Sequence, residues 1–178
     1  LKNIKKITNT KIITIDDPED KRLKTDMAFY PPIPQLKLWD WDGYEGQLFS
    51  GWQYVILRSE FQVNYSKPKK KYTEILVAMG ATDPHNMTLE ILNAIIKFDL
   101  KVTLKVLIGP QFRQEKKLNH FCEQTSNKII IEKNPKNVAK IMSSADIAVL
   151  SFGMTAYEVV ALNIPALYIC ISPDHVLS

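Results

Sequence analysis

The segment 151–158, Ser-Phe-Gly-Met-Thr-Ala-Tyr-Glu, places a glycine turn at a fixed distance from a carboxylate. The apolar run 147–150 before it predicts a buried parallel strand, and the residues from Thr155 onward favour a helix. Gly153 permits a tight turn between the two. The free N–H groups and the positive dipole end of such a helix suit a diphosphate. Glu158 follows about one helical turn later, so its carboxylate can accept hydrogen bonds from a ribose diol.

The same segment also has a purely structural interpretation as an ordinary strand-turn-helix. Gly153 is then only a corner, and Glu158 is solvated, because glycine corners are common in α/β proteins. The spacing alone leaves both interpretations open. The loops that lie beside this turn must therefore be considered with it.

Gly80 directly follows another predicted strand, at a point where a bulky residue would obstruct an approaching ligand. Thr82 and Asp83 come next and are in position to cap a helix or contact that ligand. The alternative is a plain turn, since Asp83-Pro84 is a common turn pair and Asn86 is a good N-cap residue.

Gly109 follows the apolar strand 102–108 in the sequence Leu-Ile-Gly-Pro, where a turn is the usual explanation. Ligands of parallel sheets gather at the carboxyl ends of the strands. We therefore expect the loops after residues 79, 108, 132 and 150 to lie together.

The composition indicates an ordinary soluble chain: its 178 residues are 46% apolar and 24% charged. The net charge is +4, and the one basic run, 67–71, is interpreted as a solvated linker, so no nucleic-acid partner is expected.

Cys122 and Cys170 are too few and too far apart for a disulfide framework or a zinc site, which favours the cytoplasm. No apolar run approaches the roughly 20 residues that span a bilayer, so no membrane insertion is expected.

A Lys- and Pro-rich break at 62–72 divides the chain into two unequal parts. Residues 1–61 are rich in proline and aromatic side chains, whereas residues 73–178 alternate between strand and helix patterns. This alternation predicts an α/β fold with Rossmann-like parallel sheets and helices on both faces. The predicted strands are 74–79, 102–108, 128–132, 147–151 and 166–171, and the predicted helical segments are 87–98, 112–125, 137–143 and the one after 153.

Five segments carry a family resemblance: Ile-Thr-Ile-Asp-Asp at 13–17, the run 48–61 that ends in Leu-Arg-Ser-Glu-Phe, the run 75–89 around Met-Gly-Ala-Thr-Asp-Pro-His, Ile-Met-Ser-Ser-Ala-Asp-Ile-Ala-Val at 141–149, and 151–165. In this order and spacing they resemble the nucleotide-sugar hydrolases of pseudaminic acid biosynthesis and the related spore-coat polysaccharide proteins. The resemblance covers nearly the whole chain.

The resemblance implies a B-type glycosyltransferase-like fold, in which two Rossmann-like halves are paired and the second holds most of the nucleotide. Residues 1–61 are then the C-terminal part of the first half, 62–72 a linker, and 73–178 the second half, so the chain is expected to be a fragment truncated at both ends. A UDP-linked sugar is the implied ligand, with no cofactor and no metal. The implied nucleotide-binding residues are Gly80, Thr82, Asp83, Gly109, Met142, Ser151, Gly153, Met154, Thr155 and Glu158.

The resemblance implies no catalytic residue within this chain. In the family, a His in a Gly-rich loop near the full-length N-terminus assists the attack of water on the anomeric carbon, and that loop is absent here. His85, His120 and His175 do not match it. Asp174 and His175 stand where the family often has Asn-Gln; they are possible sugar contacts or part of a plain loop, and this departure leaves the sugar's identity open.

Two further groups in the first part have structural and functional alternatives. Asp16 and Asp17 end a predicted strand, and we expect a structural or cleft-lining role because they lack partner ligands at a recognisable spacing. Trp39, Trp41 and Tyr44 can stack on sugar rings, but such aromatic side chains more often pack a loop.

The interpretation we favour is a UDP-sugar hydrolase that releases UDP and a free amino-deoxy sugar in surface polysaccharide or nonulosonic acid biosynthesis. The fragment itself is expected to be inactive, because the N-terminal catalytic loop is missing. Two alternatives remain open: a B-type glycosyltransferase with a UDP-sugar donor, and a non-catalytic nucleotide-sugar-binding module.

Overall fold

The computed structural model describes residues 10–66, 71 and 73–178. The chain divides into two compact units, Leu1–Ile56 with Leu177–Ser178, and Leu57–Val176. Most of the basic run 67–71, which we interpret as a linker, lies outside the described residues. None of the helices in the described part of the chain has the length and apolar character needed to cross a membrane.

The first unit contains a small parallel sheet. The Tyr30 hydroxyl, on its central strand, donates to the Asp17 carbonyl at 2.7 Å, and burial raises the pKa of Tyr30 to about 12. The Asp17 carboxylate accepts from the N–H of Glu19 at 3.0 Å and pairs with Lys21 at 3.3 Å, which is a structural role. The strands, in sheet order, are β1 (Ile13–Ile15), β2 (Met27–Tyr30) and β3 (Gln47–Ser50), and 3-10 helices span Asp20–Lys24, Pro34–Lys37 and Trp52–Tyr54.

A buried arginine organises the loop that carries the tryptophans. Arg22 is 2% exposed, and its guanidinium carbon lies 5.1 Å from the ring centroids of both Trp39 and Trp41. Its terminal nitrogens donate to the Asp40 carbonyl and to the Asp20 carboxylate, each at 2.8 Å. Cation–π contacts and charge-assisted hydrogen bonds stabilise this arrangement. The aromatic side chains therefore pack this loop.

Downstream of residue 57 the chain alternates between strands and helices, and all five strands are parallel. The strand order is β6-β5-β4-β7-β8. The predicted α/β fold with parallel, Rossmann-like sheets is confirmed. The elements are a 3-10 helix at Ser59–Gln62, β4 (Thr73–Ala78), α1 (Met87–Ile96), β5 (Val102–Ile108), α2 (Glu115–Gln124), β6 (Lys128–Lys133), α3 (Val138–Ser143), β7 (Ile147–Ser151), α4 (Met154–Ala161), β8 (Ala166–Ile169) and α5 (Pro173–Leu177).

Some helix ends differ from the prediction for local reasons. α1 ends at Ile96, and Asp99 just beyond it has a left-handed backbone with φ 50°, which does not continue a helix. The predicted segment 112–125 becomes helical only at Glu115, because Phe112 closes a turn onto the Gly109 carbonyl and is buried. α5 was not predicted, although Pro at its first position favours a helix start.

β4 is buried on both faces of the sheet, as its continuous apolar sequence predicts. Leu76 and Ala78 pack with side chains from α3 and α4, whereas Ile75 and Val77 pack on the other face with side chains from α1 and α2. Full burial of a side chain such as Leu contributes roughly 1.5–3 kcal/mol, so both helix layers are firmly attached. Since helices occupy both faces, a ligand must approach this sheet from an edge.

A buried ion pair joins β4 and β5 of this sheet. Glu74 at the start of β4 and Lys105 in β5 are 7% and 8% exposed, and the ammonium nitrogen lies 2.8 Å from a carboxylate oxygen. Ser144 donates to the same carboxylate, and the Glu74 N–H donates to Asp146 at 2.9 Å. The pair is therefore embedded in a polar network between the amino edge of the sheet and the end of α3.

We expect Lys105→Met to lower the free energy of unfolding by about 3–5 kcal/mol, because it leaves the Glu74 carboxylate buried without its cation. The double variant Lys105→Met with Glu74→Leu removes both charges and should recover most of the loss. Urea unfolding at neutral pH measures both. Equal destabilisation by the single and double variants would contradict a role for the buried charge.

Candidate functional site

The carboxyl edge of the five-stranded sheet has a switch point between β4 and β7. From β4 the chain moves outward through β5 to β6, and it then returns to β7 on the other side of β4. The connections from two neighbouring strands thus leave in opposite directions, and ligands of open α/β sheets bind at such points. A cavity of about 300 Å³ opens at this edge. Its lining consists of Arg58, Ala78, Gly80, Ala81, Leu107, Ile108, Gly109, Pro110, Asn134, Pro135, Val138, Met154, Thr155 and Glu158.

This cavity brings together half of the residues that the sequence assigns to a nucleotide. The loops after β4 and β5 and the start of α4 meet there, as the carboxyl-edge argument predicts. The residues of that set in the lining are Gly80, Gly109, Met154, Thr155 and Glu158. Those outside it are Thr82, Asp83, Met142, Ser151 and Gly153, and the possible sugar contacts Asp174 and His175 lie outside it as well.

Backbone hydrogen bonds lock the loops of the cavity to one another. The Gly109 N–H donates to the Ala81 carbonyl at 3.1 Å, and the Asn134 N–H donates to the Ile108 carbonyl at 2.9 Å. A Cβ added to Gly109 would lie 2.3 Å from the Ala81 oxygen, so this approach requires glycine. Gly80 has φ +83°, a left-handed conformation that also favours glycine. The fold alone therefore explains why glycine occupies both positions.

Asp83 caps α1 from within the first of these loops. Its side chain is buried, and its two oxygens accept from the N–H groups of Met87 and Thr88, each at 2.8 Å. Asn86 occupies the N-cap position with a left-handed backbone but makes no side-chain capping bond. The Asp83 carboxylate thus shapes the loop. Its contact with a ligand stays a prediction, as does that of Thr82, which is exposed.

Met142 lies in the core and not at the cavity. Its side chain is fully buried beside Leu76 and Val159, and its carbonyl accepts from the Ala145 N–H at 2.8 Å, beyond the end of α3. α3 begins beside the cavity at Val138 and runs away from it, towards the amino edge of the sheet. The Met142 side chain therefore does not reach the cavity, and its place near the base stays a prediction that only a backbone atom could fulfil.

Gly153 lies in the two-residue turn between β7 and α4. Its backbone is extended, with φ 161° and ψ −160°, a conformation that any residue adopts. A Cβ built there meets no heavy atom of the described residues within 4 Å. α4 starts at the next residue, and the Ala156 N–H is already bonded to the Gly153 carbonyl at 2.9 Å. The space beside Gly153 is open, and it adjoins the first N–H groups of α4.

Arg58 is a cavity residue that spacing did not single out. Its Nη2 donates to Glu158 Oε1 at 2.9 Å across 100 sequence positions, and its Nη1 lies 3.3 Å from Glu60 Oε1. The Arg58 side chain is 53% exposed and that of Glu158 is 13% exposed, so solvent screens the pair only in part. The one sequence signal for Arg58 is its place in the run 48–61, which carries the family resemblance.

Asp174 and His175 lie in α5, outside the cavity but close to the turn after β7. The His175 ring centroid is 6.0 Å from that of Phe152, which immediately precedes Gly153. Nδ1 of His175 is buried and has no hydrogen-bond partner in the part of the chain that the structure describes. Contact with a sugar stays a prediction for both residues.

A larger cavity of about 660 Å³ lies in the first unit, with Lys11, residues 23–27, Gly43 and residues 45–47 in its wall. These segments lead into β2 and β3, so the cavity faces the amino ends of those strands. Parallel sheets bind ligands at the opposite edge. We therefore take the smaller cavity of the second unit as the candidate site.

The fold and this cavity define an α/β protein with Rossmann-like parallel sheets and a candidate site at the switch point. No family model matches the chain. It is 38% identical over 124 residues to an uncharacterized protein of Methanocaldococcus jannaschii. It is 25% identical over 173 residues to the spore coat polysaccharide biosynthesis protein SpsG of Bacillus subtilis, and 24% identical over 175 residues to the UDP-2,4-diacetamido-2,4,6-trideoxy-beta-L-altropyranose hydrolase of Campylobacter jejuni.

The matched regions cover 66%, 94% and 95% of this chain in that order. They amount to 26%, 50% and 61% of the relatives' own lengths, so the chain spans less than two thirds of each. The two near-complete but distant matches support the family that the motifs resemble, without singling out a member.

Two glycines of this site should respond differently to the same substitution. Gly109→Ala is expected to lower the free energy of unfolding by about 1–3 kcal/mol, because its Cβ would collide with the Ala81 oxygen. Gly153→Ala should stay within about 0.5 kcal/mol of the wild-type chain, because its Cβ meets open space. Urea unfolding of both variants compares them. A comparable loss for Gly153→Ala would show that the turn itself depends on glycine.

Proposed function

We propose that this chain binds a UDP-linked sugar and acts in a UDP-sugar hydrolase of surface polysaccharide or nonulosonic acid biosynthesis. The observation that carries the proposal is that Glu158 and the first residues of α4 line one cavity at the switch point of a parallel sheet. The names of the two distant relatives support it, since one concerns spore coat polysaccharide and the other a UDP-sugar hydrolase. We further propose a B-type glycosyltransferase-like architecture and a cytoplasmic location.

The diphosphate of the ligand is assigned to the start of α4. Met154 and Thr155 line the cavity there, and Gly153 before them leaves open space. The first N–H groups of a helix have no partner within the helix. They point outward from its N-terminal end and carry partial positive charge, which favours a bound phosphate. Ser151 at the end of β7 is close enough to Gly80 that a Cβ on Gly80 would lie 3.7 Å from its hydroxyl. These groups would surround the phosphates from both sides of the switch point.

The ribose is assigned to Glu158. This residue lies one turn after Met154 on α4, and residues four apart share a helix face. A carboxylate is an acceptor only, so it suits two neighbouring hydroxyl donors. The apolar part of the lining, which includes Leu107, Ile108 and Val138, offers a surface for the flat base.

In the proposed reaction, water attacks the anomeric carbon of the sugar, the bond from that carbon to the diphosphate oxygen breaks, and UDP leaves. The second unit, Leu57–Val176, holds the leaving group UDP in its cavity. Stabilising the charge that develops on the diphosphate is the contribution expected of the helix start and of the Arg58 guanidinium at this cavity. No residue of this chain is assigned to activation of the water.

The products distinguish hydrolysis from glycosyl transfer, because both reactions use the same nucleotide site. A hydrolase releases UDP and free sugar in equal amounts from a UDP-linked diacetamido sugar without any acceptor. A transferase releases UDP only when an acceptor is added. Chromatographic quantification of UDP and sugar, with and without candidate acceptors, tests the proposal, and acceptor-dependent release would overturn it.

We expect Glu158→Ala to weaken UDP binding by about 1–3 kcal/mol, the usual size of charge-assisted hydrogen bonds. Calorimetric titration of UDP and UDP-N-acetylglucosamine measures the loss, with CMP as a test of base selectivity. Glu90→Ala, which removes an exposed carboxylate from α1, is the matched control and should bind as the wild-type chain does. Unchanged affinity of Glu158→Ala in a folded chain would remove Glu158 from the site.

A further inference from the structure

Arg58 is held in a fixed position at the wall of the cavity. Its guanidinium carbon lies 5.1 Å from the ring centroid of Phe61, which is buried in the core. Its two terminal nitrogens point to Glu158 at 2.9 Å and to Glu60 at 3.3 Å. A guanidinium that is stacked on a ring and paired at two nitrogens loses little further freedom when it binds a ligand.

Of the two carboxylates beside Arg58, one is already engaged with the backbone. Glu60 Oε1 accepts from the N–H groups of Val138 at 3.1 Å and Ala139 at 3.4 Å, at the start of α3. Glu60 therefore has partners of its own and does not depend on Arg58 for them. Glu158, in contrast, has Arg58 as its side-chain partner at the cavity.

Arg58 and Glu158 are the two ionisable side chains among the described residues that line the cavity. Their charges oppose each other, so the lining is close to neutral. Without Arg58, Glu158 would present an isolated negative charge to the ligand, and a like charge disfavours a nearby diphosphate. The guanidinium is also half exposed and has further N–H donors available for phosphate oxygens.

We propose that Arg58 makes the site selective for phosphorylated ligands: its guanidinium binds the diphosphate, while Glu158 turns its carboxylate to the ribose hydroxyls. This inference rests on the proposed function and deepens it. Arg58 and the start of α4 then contact the same charged group from two walls of one cavity. The ion pair of the unliganded chain is replaced by two contacts to the ligand.

A different role for Arg58 would be only to position the Glu158 carboxylate. The two roles predict different ligand dependence. A residue that positions Glu158 affects every ligand that carries a ribose, phosphorylated or not. A residue that binds phosphate affects UDP and UMP but leaves uridine almost unchanged.

The test compares the dissociation constants of uridine, UMP and UDP, measured by NMR titration on the wild-type chain, Arg58→Gln and Arg58→Lys. We expect Arg58→Gln to weaken UDP binding about tenfold or more, as for loss of a charge-assisted contact, and uridine binding by less than about threefold. Arg58→Lys should restore part of the UDP affinity, because it keeps the charge without the planar fork. Lys101→Gln, which removes an exposed positive charge just before β5 at the far edge of the sheet, is the matched control and should leave all three unchanged.

Two results would overturn the proposal. Equal weakening of uridine and UDP in Arg58→Gln would mean that Arg58 only positions Glu158, and unchanged UDP affinity would mean that it does neither. Uridine binding by Arg58→Gln also shows that the variant is folded. A folded wild-type chain that binds none of the three ligands would instead defeat the proposed function itself, which is a distinct outcome.

Discussion

The open carboxyl edge of the parallel sheet is the constraint on which the rest of this structure depends. Helices cover both faces of the five-stranded sheet, so its faces are closed to ligands. All strands are parallel, so their carboxyl ends lie together along one edge. The connections that follow β4 and β7 leave in opposite directions, which opens a crevice at that edge without disturbing the core. The position of the candidate site therefore follows from topology before any particular side chain is considered.

Much of this arrangement follows from local sequence. The continuous apolar runs predict β4, β5 and β7, and strands of this kind are buried on both faces in parallel sheets. Glycines directly after two of these strands mark the loops at the carboxyl edge. Helical periodicity places Glu158 one turn into α4. Each of these inferences uses contacts within a few residues, which is the range over which backbone geometry and hydrophobic periodicity act.

The parts that could not be predicted depend on distant contacts or on direction. The ion pair between Arg58 and Glu158 joins residues 100 positions apart, and no spacing rule brings them together. Met142 is only four residues from Val138, which lines the cavity, but α3 carries its side chain into the core. Arg22 lies in the charged segment 18–22, yet it is buried and its guanidinium contacts two tryptophan rings. In each case the tertiary environment, and not the residue type, decides the role.

The glycines of the site divide into those that the fold explains and one that it does not. Gly109 must be glycine because the Ala81 carbonyl lies where its Cβ would be, and Gly80 because its backbone is left-handed. Gly153 has an extended backbone and open space beside it, so neither clash nor strain excludes a side chain. That space adjoins the first N–H groups of α4, where backbone donors and the helix dipole favour an anion. In the complex that we propose, a side chain at position 153 would take up room that the phosphate needs, which would give glycine at this position a reason outside the protein's own packing.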